Sequence, residues 1–417
     1  MAWGDPGVTV KRYNTFQSPS VAWGQNSVRV PFNPITNIGI AKGFKIRVPY
    51  QAGTVTAGAT GLTVPTALQM QQMNFYNRLQ VQMAGLTASY DVRGREAGYL
   101  MYVGNGLPTH LRNGNATKLG YVDTAAGTPS WFSFPTSLAP VSMTAKKYIN
   151  TLEYNHTGPV FNFSSDIHLP LTEYIKVPGR AGIDQNGNII QNMGDTEIEV
   201  GLLVMQSAAQ SVQLNAQLNG WQGADYNSVF LPSFTGYDQL SATPTFNLEH
   251  EYYDLPGNAN DMPNILQTGM AVTRISRDQT ISGGQFDYYF LRAGILLRVI
   301  MSFYNDTTNW GTVVDIFGDG TYTPDKIKVL LQDGQATQYI NETAADNGYR
   351  SLDRYGYPPP GILVHDLLAD GDGTLTQCIQ TAQTTALRES LSNLPASITR
   401  VVITEERLIP VQVTQAA

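Results

Sequence analysis

Apolar and polar residues alternate along much of this chain. Val28, Val30 and Phe32 alternate with Arg29 and Pro31, and Phe44, Ile46 and Val48 with Lys45 and Arg47. Leu79, Val81 and Met83 alternate with Gln80 and Gln82; Ile198, Val200 and Leu202 with Glu197, Glu199 and Gly201; Val212, Leu214, Ala216 and Leu218 with Gln213, Asn215 and Gln217. Side chains of a strand point to opposite faces in turn, so each run predicts a strand with one buried and one wet face. The wet faces are built from Gln, Asn, Thr and Tyr rather than Lys and Glu. Such a face is desolvated against a neighbour at little cost once hydrogen-bonded. Turn formers separate the runs at Gly58–Gly61, Asn113–Asn115, Asn186–Asn188, Gly283–Gly284, Asp319–Gly320 and Asp370–Gly373.

The second half repeats the style, with runs at Phe246–Tyr252, Met270–Ile275, Tyr288–Phe303, Gly361–Leu368, Leu375–Ile379 and Ile398–Thr404. Helical periodicity is sparse. Arg95–Val103 and Gln335–Asn347 are expected helices, while Ala382–Leu394 fits a helix by its leucines and a strand by Thr384 and Thr385. Many strands between turns, few helices and no short repeat predict an all-β chain of sandwiches, not a solenoid or propeller. The expected division is an N-terminal arm (1–24), a first β unit (25–236), a linker (237–245), a second β unit (246–410) and a tail (411–417). Gly104–Pro140 reads as a long excursion loop, and loops of that length are usually functional.

Composition narrows the class. The 417 residues are 42% hydrophobic, 14% charged and carry a net charge of −7. Disorder needs low hydrophobicity and high net charge, so it is excluded, as is a coiled coil. At roughly 100–200 residues per domain, two domains are expected. The negative balance argues against a dedicated nucleic-acid binder; the basic spots Lys42, Lys45, Arg47 and Lys146, Lys147 are expected to be solvated. Cys378 stands alone, which excludes an intrachain disulfide framework, and in its strand-like run it reads as a small core residue. Met1–Gly7 has neither the basic start nor the apolar run of a signal peptide, and no run approaches the ~20 residues that span a bilayer. The expectation is a soluble chain, neither exported by the usual route nor inserted in a membrane.

Catalytic constellations are not found. The five histidines (His110, His156, His168, His250, His365) form no metal-ligand spacing, and His168 and His250 sit in strand runs. There is no nucleophile elbow, and Gly39–Gly43 fails the phosphate-loop spacing. Asp370–Gly373 begins like a calcium loop but has Leu375 and Thr381 where Gly and Glu are required, so a plain turn is expected. Glu197 and Glu199 share a strand face, without a partner across a cleft that sugar cleavage needs. Asn155–Thr157 and Asn341–Thr343 match the glycosylation pattern, which matters only in a secreted chain. No catalytic, cofactor or metal residue is assigned.

Several segments, in order, resemble one family. Asn37-Ile-Gly39-Ile-Ala-Lys42-Gly43-Phe44-Lys-Ile-Arg-Val48 is similar to the early strand of the major capsid protein of tectivirus-like phages, tailless icosahedral phages with an internal membrane. Gly158–Phe161, Leu169-Pro170-Leu171, Gly182 and Glu197–Val200 resemble the close of that family's first jelly roll. Tyr288–Phe290 through Arg298–Asp306 resembles the middle of the second, and Gly361–Val364 with Ile398–Glu405 its end. The resemblance spreads over most of residues 25–410. It implies a double jelly roll, two eight-stranded sandwiches standing upright in the shell, with three chains in a pseudo-hexagonal homotrimer. It implies location in the virion, assembly in the host cytoplasm, and minor capsid, vertex or cementing proteins as partners. Family members carry an amphipathic N-terminal helix over the membrane. Gly4, Pro6 and Gly7 break it here, so Trp3, Tyr13, Phe16 and Trp23 would anchor an extended arm near Lys11 and Arg12, with any membrane contact peripheral.

Two other classes compete. A carbohydrate- or receptor-binding sandwich of a virion would set Trp131, Trp221 and Trp310 along an open groove. A β-rich hydrolase with a scattered site would show a pocket of clustered, perturbed carboxylates.

Overall fold

The computed structural model describes residues 10–17, 28–31, 39–54, 76–83, 90–103, 121–122, 130–131, 160–177, 182–183, 189–190, 196–201, 203–205, 212–218, 247–253, 270–281, 283–305, 312–314, 316–317, 323–355 and 362–410. The first half runs β1 (Val10–Gln17), β2 (Val28–Pro31), β3 (Gly39–Thr54), β4 (Tyr76–Met83), β5 (Tyr90–Val92), α1 (Gly94–Val103), β6 (Tyr121–Val122), β7 (Ser130–Trp131), β8 (Val160–Pro170), β9 (Glu173–Val177), β10 (Gly182–Ile183), β11 (Ile189–Ile190), β12 (Thr196–Val200), β13 (Leu203–Met205) and β14 (Val212–Leu218). The second runs β15 (Asn247–Tyr253), β16 (Met270–Thr280), β17 (Gln285–Tyr289), β18 (Ile295–Asn305), β19 (Thr312–Val313), β20 (Lys328–Gln332), β21 (Gln338–Thr343), α2 (Ala344–Tyr355), β22 (Ile362–Asp366), α3 (Leu367–Asp370), β23 (Ile379–Gln380), β24 (Arg388–Ser392) and β25 (Arg400–Pro410).

One ten-stranded sheet crosses both halves in the order β19-β18-β25-β16-β5-β4-β14-β2, with β22 and β23 also on β18. Its halves join where β16 pairs in parallel with β5 through Arg274↔Tyr90 and Ile275↔Asp91. Register then decides which side chains share a face. On β4 and β14 the alternation buries Leu79, Val81, Leu214 and Ala216, while Arg78 and Gln82 are exposed. On β18 and β25 nearly every residue is buried, so both faces are covered. One face carries Val299, Met301, Phe303, Val401 and Ile403. It packs on Phe286, Val329, Leu331, Ile340 and Leu391 of a four-stranded sheet, β17-β24-β20-β21. That is a complete sandwich. Burying each such large apolar side chain contributes roughly 1.5–3 kcal/mol. The other face carries Arg298, Ile300, Ser302, Tyr304, Thr404, Glu406 and Leu408, and it meets the first half.

A five-stranded sheet runs β1-β15-β3-β13 with β8 beside β3. It buries Ala41, Phe44 and Leu169, and Tyr90 Oη donates to the Pro170 carbonyl at 2.8 Å, linking it to the large sheet. Within the segment expected as an arm, β1 pairs antiparallel with β15, Tyr13 opposite His250 and Phe16 opposite Leu248. β15 lies beyond the expected linker yet pairs with β3.

Several expectations need correction. The helix expected at 335–347 begins only at Ala344. Residues 338–343 are strand β21, and Thr343 and Asp346 form the start signal: Asp346 N donates to Thr343 Oγ1, while Asp346 Oδ2 accepts from Thr343 N and Oγ1. The ambiguous 382–394 is turns followed by β24, whose alternate burial settles it as strand. The run 288–303 is two strands, because Gly294 takes a φ of +67° with its Cα against the Leu408 carbonyl, where a Cβ has no room. Leu375–Ile379 is mainly turn, with Ile379 alone entering β23. Residues 361–368 end in helix because Asp366 caps α3, accepting from Ala369 N at 2.9 Å. α1 appears as expected, and it packs against both β4 and β8. Of the expected excursion loop, the two-stranded ribbon β6–β7 lies within the described residues; the linker 237–245 lies outside them.

Candidate functional site: a sealed junction and a polar flank

Two features concentrate polar chemistry. The first lies where β9 and the preceding turn meet the charged face of the large sheet. Glu173 opens β9 and is only 2% exposed. Arg298 Nη1 donates to Glu173 Oε2 at 2.8 Å and to Glu406 Oε2 at 3.0 Å, and its Nε donates to Asp366 Oδ2 at 2.9 Å. Arg274 Nη2 donates to Glu406 Oε1 at 2.8 Å and to Glu173 Oε2 at 3.3 Å, and its Nη1 donates to the Pro170 carbonyl at 2.6 Å. Tyr355 Oη donates to Asp366. Burial raises the Glu173 carboxyl, but Arg298 and Arg274 outweigh it and hold it at about 2. Glu406 is pushed up, chiefly by burial and by Glu173 beside it, against the pull of the two guanidinium groups. Ile175, Val200, Val272, Leu297, Leu368 and Leu408 pack around the ions.

The chemistry of this cluster is mutual neutralisation. Glu173 and Glu406 are perturbed and clustered, as a scattered hydrolase site would be, but they are buried and bound to arginine. Neither described cavity reaches them. One of about 740 Å³ is lined by residues 323–328 and 393–397; another of about 320 Å³ is lined by Arg78, Asp91, Arg93, Ser276 and Asp278 among others. The second cavity carries the pair Arg78–Asp91 within the first half and the pair Arg93–Asp278 between the halves.

The second feature is the outer face of the four-stranded sheet. Register sets three rows: Gln285, Ser392, Lys328, Thr343; Asp287, Ser390, Leu330, Asn341; and Tyr289, Arg388, Gln332, Gln338. Three of these twelve are charged, and Arg388 Nε lies 3.7 Å from Asp287 Oδ1. The other nine are amide, hydroxyl, tyrosine and leucine side chains, so the face mixes a few charges with uncharged polar groups. Tyr289 is 59% exposed and Leu291, just beyond β17, is 52% exposed.

The residues weighed from sequence fall as follows. His168 and His250 are in strands β8 and β15; His110 and His156 lie outside the described residues. His365 is fully buried on β22. Glu197 and Glu199 lie on β12, where Glu199 accepts from Thr172 Oγ1 at 2.6 Å. Lys42 is not solvated: its Nζ donates to Tyr174 Oη at 2.8 Å and lies 3.4 Å from Glu199 Oε1. Burial by the facing hairpin makes that lysine a strut. Lys45 and Arg47 are in β3; Lys146 and Lys147 lie outside the described residues. Within Asp370–Gly373, Asp370 is the last residue of α3 and pairs with Arg354, and 371–373 are a turn. Cys378 packs partly buried against both apolar clusters, and burial pushes its thiol up to about 12, far from a reactive thiolate. Asn341 is exposed on β21 and Asn155 lies outside the described residues. Trp131 lies on β7, while Trp221 and Trp310 lie outside the described residues. Among the described residues, no group of three or more His, Cys, Asp or Glu is placed to hold a metal, and no helix is long and apolar enough to cross a membrane.

Sequence reasoning missed Glu173, Arg274, Arg298, Asp366 and Glu406. Their signal was a charge inside an otherwise apolar strand, as in Ile295–Asn305 and Arg400–Pro410.

No family model matches the sequence, and no curated protein matches it. Solved structures do. The chain is similar to the crystal structure of the STIV major capsid protein, at 13% identity and a TM-score of 0.52, over 98% of this chain and 99% of that one. It is similar to the capsid of the virus PBCV-1, at 10% identity and a TM-score of 0.54, over 96% and 93%. PBCV-1 VP54, fitted into a reconstruction of the virophage Sputnik, aligns at 10% identity and a TM-score of 0.53. The fold is the double jelly roll of viral major capsid proteins, all-β with a few short helices, as the resemblance implied.

Proposed function

We propose that this chain is a viral major capsid protein, a structural subunit that works by burial and not by catalysis. One observation carries the reading: the fold matches such proteins over nearly the whole of both chains, 98% and 99% in one case. A fold alone does not fix a function, and the surfaces add independent support. The outer flank of the four-stranded sheet offers amide, hydroxyl and tyrosine groups that a like surface can satisfy by hydrogen bonds. Ion pairs are drawn inward to the junction, where they hold the halves together.

In this reading the chain forms a pseudo-hexagonal homotrimer that tiles an icosahedral shell over an internal membrane. Threefold closure requires each copy to offer two different, complementary patches, and obligate contacts of this kind bury several thousand Å². The division into arm (1–24), first roll (25–236), linker (237–245), second roll (246–410) and tail (411–417) belongs to the same proposal. It is supported by an apolar cluster made wholly of residues 286–403. Strand β15 is exchanged across that division, since it pairs with β1 and β3. Minor capsid, vertex or cementing proteins are the expected further partners. The arm would lie at the base of the shell near the membrane, in a host-cytoplasmic assembly that ends in the virion.

Light scattering of the purified chain at micromolar concentration, with negative-stain microscopy, tests this. Hexagonal particles of three copies are expected; a clean monomer overturns the proposal.

A further inference from the structure

We propose that His365 and Glu389 hold one proton in common across the second sandwich, and that this proton keeps its two sheets closed at neutral pH. His365 stands on β22 of the large sheet and Glu389 on β24 of the opposite sheet, and both are 0% exposed. His365 Nε2 and Glu389 Oε1 are 3.3 Å apart, so the contact crosses the apolar core. The second oxygen, Glu389 Oε2, is buried with no hydrogen-bond partner.

Among the described residues the polar groups facing the pair come from four further elements. From β17, Tyr288 is the register neighbour of Glu389, and its hydroxyl donates to Glu405 of β25, which also accepts from Arg407 Nε at 2.5 Å. From β21, Glu342 Oε1 lies 3.8 Å from His365 Nδ1. From α2, Asn347 Nδ2 donates to the Glu342 carboxylate and the Val364 carbonyl, each at 2.9 Å, and lies 3.4 Å from His365 Nδ1. Also from α2, Arg350 Nη2 donates to Glu342 Oε1 at 2.6 Å and neutralises it. The register neighbours Val299 on β18 and Leu331 on β20 are apolar. Arg350 is thus committed to Glu342 and Arg407 to Glu405, and among the described residues no cation other than a protonated His365 bonds Glu389.

A bare carboxylate at Glu389 beside a neutral imidazole would leave a buried negative charge uncompensated, which is strongly unfavourable. Two arrangements avoid it: carboxylate with imidazolium, or carboxylic acid with neutral imidazole. Each holds one proton more than the charge-bearing alternative, and the pair titrates as a unit. Burial pushes the Glu389 carboxyl up, with the positive charge of His365 opposing. The sign follows. The unfolded chain gives up its last such proton near the ordinary histidine value of about 6.5, while the folded chain keeps its proton to higher pH. Stability is therefore full below that value and falls as pH rises through the pair's folded titration.

The test is native-state hydrogen exchange of the full chain at fixed protein concentration, corrected for intrinsic exchange, between about pH 7 and about pH 8, below the ordinary titration of Cys, Tyr and Lys. The opening constant of the β22 and β24 amides should rise about tenfold per pH unit in the wild type, as for one linked proton. In Glu389→Gln, which needs no proton to stay neutral, the rise should vanish. A flat wild-type profile overturns the proposal even if the variant fails to fold, and so does an equal slope in a folded variant. Neither outcome bears on whether the chain builds shells.

Discussion

Arg298 on β18 reaches Glu173 on β9, 125 residues earlier in the chain, at 2.8 Å and away from water. The same guanidinium holds Glu406 and Asp366. A buried ion pair gains little over a well-packed apolar replacement, because desolvation offsets the Coulomb attraction. Removing one partner is different, because it strands the others.

Arg298→Ala leaves Glu173 and Glu406 to Arg274 alone, and the Asp366 carboxylate to the Tyr355 hydroxyl without a cation. We expect a loss of about 3–5 kcal/mol in denaturant unfolding. Arg298→Lys should recover only part of it, since one ammonium does not reproduce a fork that bonds three acids. A loss below about 1 kcal/mol, the level of an exposed pair, would mean the junction is not sealed.

Glu173 gives the junction a pH signature. Its folded carboxyl sits at about 2, below the ordinary 4.5, so its contribution is present above the unfolded value and lost as pH falls toward 2. Glu406 is shifted the other way and opposes this slope. Glu173→Gln should be less stable at neutral pH and should lose less on acidification between about pH 5 and about pH 2. Thermal melts across that range check it, and an unchanged slope would contradict the assignment.

The strand pattern was legible because a period of two survives wherever one face is buried and the other wet. Val81 beside Gln82, and Leu391 beside Ser392, are such pairs. It failed where both faces are covered: β25 reads Arg-Val-Val-Ile-Thr-Glu-Glu-Arg-Leu-Ile-Pro, with charges that appear solvated in sequence and are buried in the fold. Nothing local tells Arg298 that Glu173 will arrive from the other half. The end of β21 was also hidden, since Asn341–Thr343 fits strand and helix alike until Asp346 is recognised as the partner of Thr343. Gly294 marked a turn that the apolar run around it concealed.

That start signal makes a local prediction. Thr343→Ala removes the acceptor for Asp346 N and a donor to Asp346 Oδ2. Loss of such a cap costs about 1 kcal/mol. The effect should concentrate in α2, so hydrogen exchange of residues 344–348 should rise more than that of β18. Uniform change across the chain would argue that Thr343 acts by other means.

The flank gives the last prediction, and it separates folding from assembly. Tyr289 projects from β17, the edge strand of its sheet, and is 59% exposed. Replacing an exposed side chain away from caps and core usually changes stability by less than about 0.5 kcal/mol. A charge desolvated against a sister copy costs far more, and the one cation beside it in register, Arg388, already stands 3.7 Å from Asp287. Tyr289→Glu should therefore melt like the wild type as a subunit while its association weakens by at least tenfold in sedimentation velocity. A matched change at Gln82, exposed on β4 of the large sheet, serves as the comparison. If Tyr289→Glu associates as the wild type does, this flank is not where copies meet.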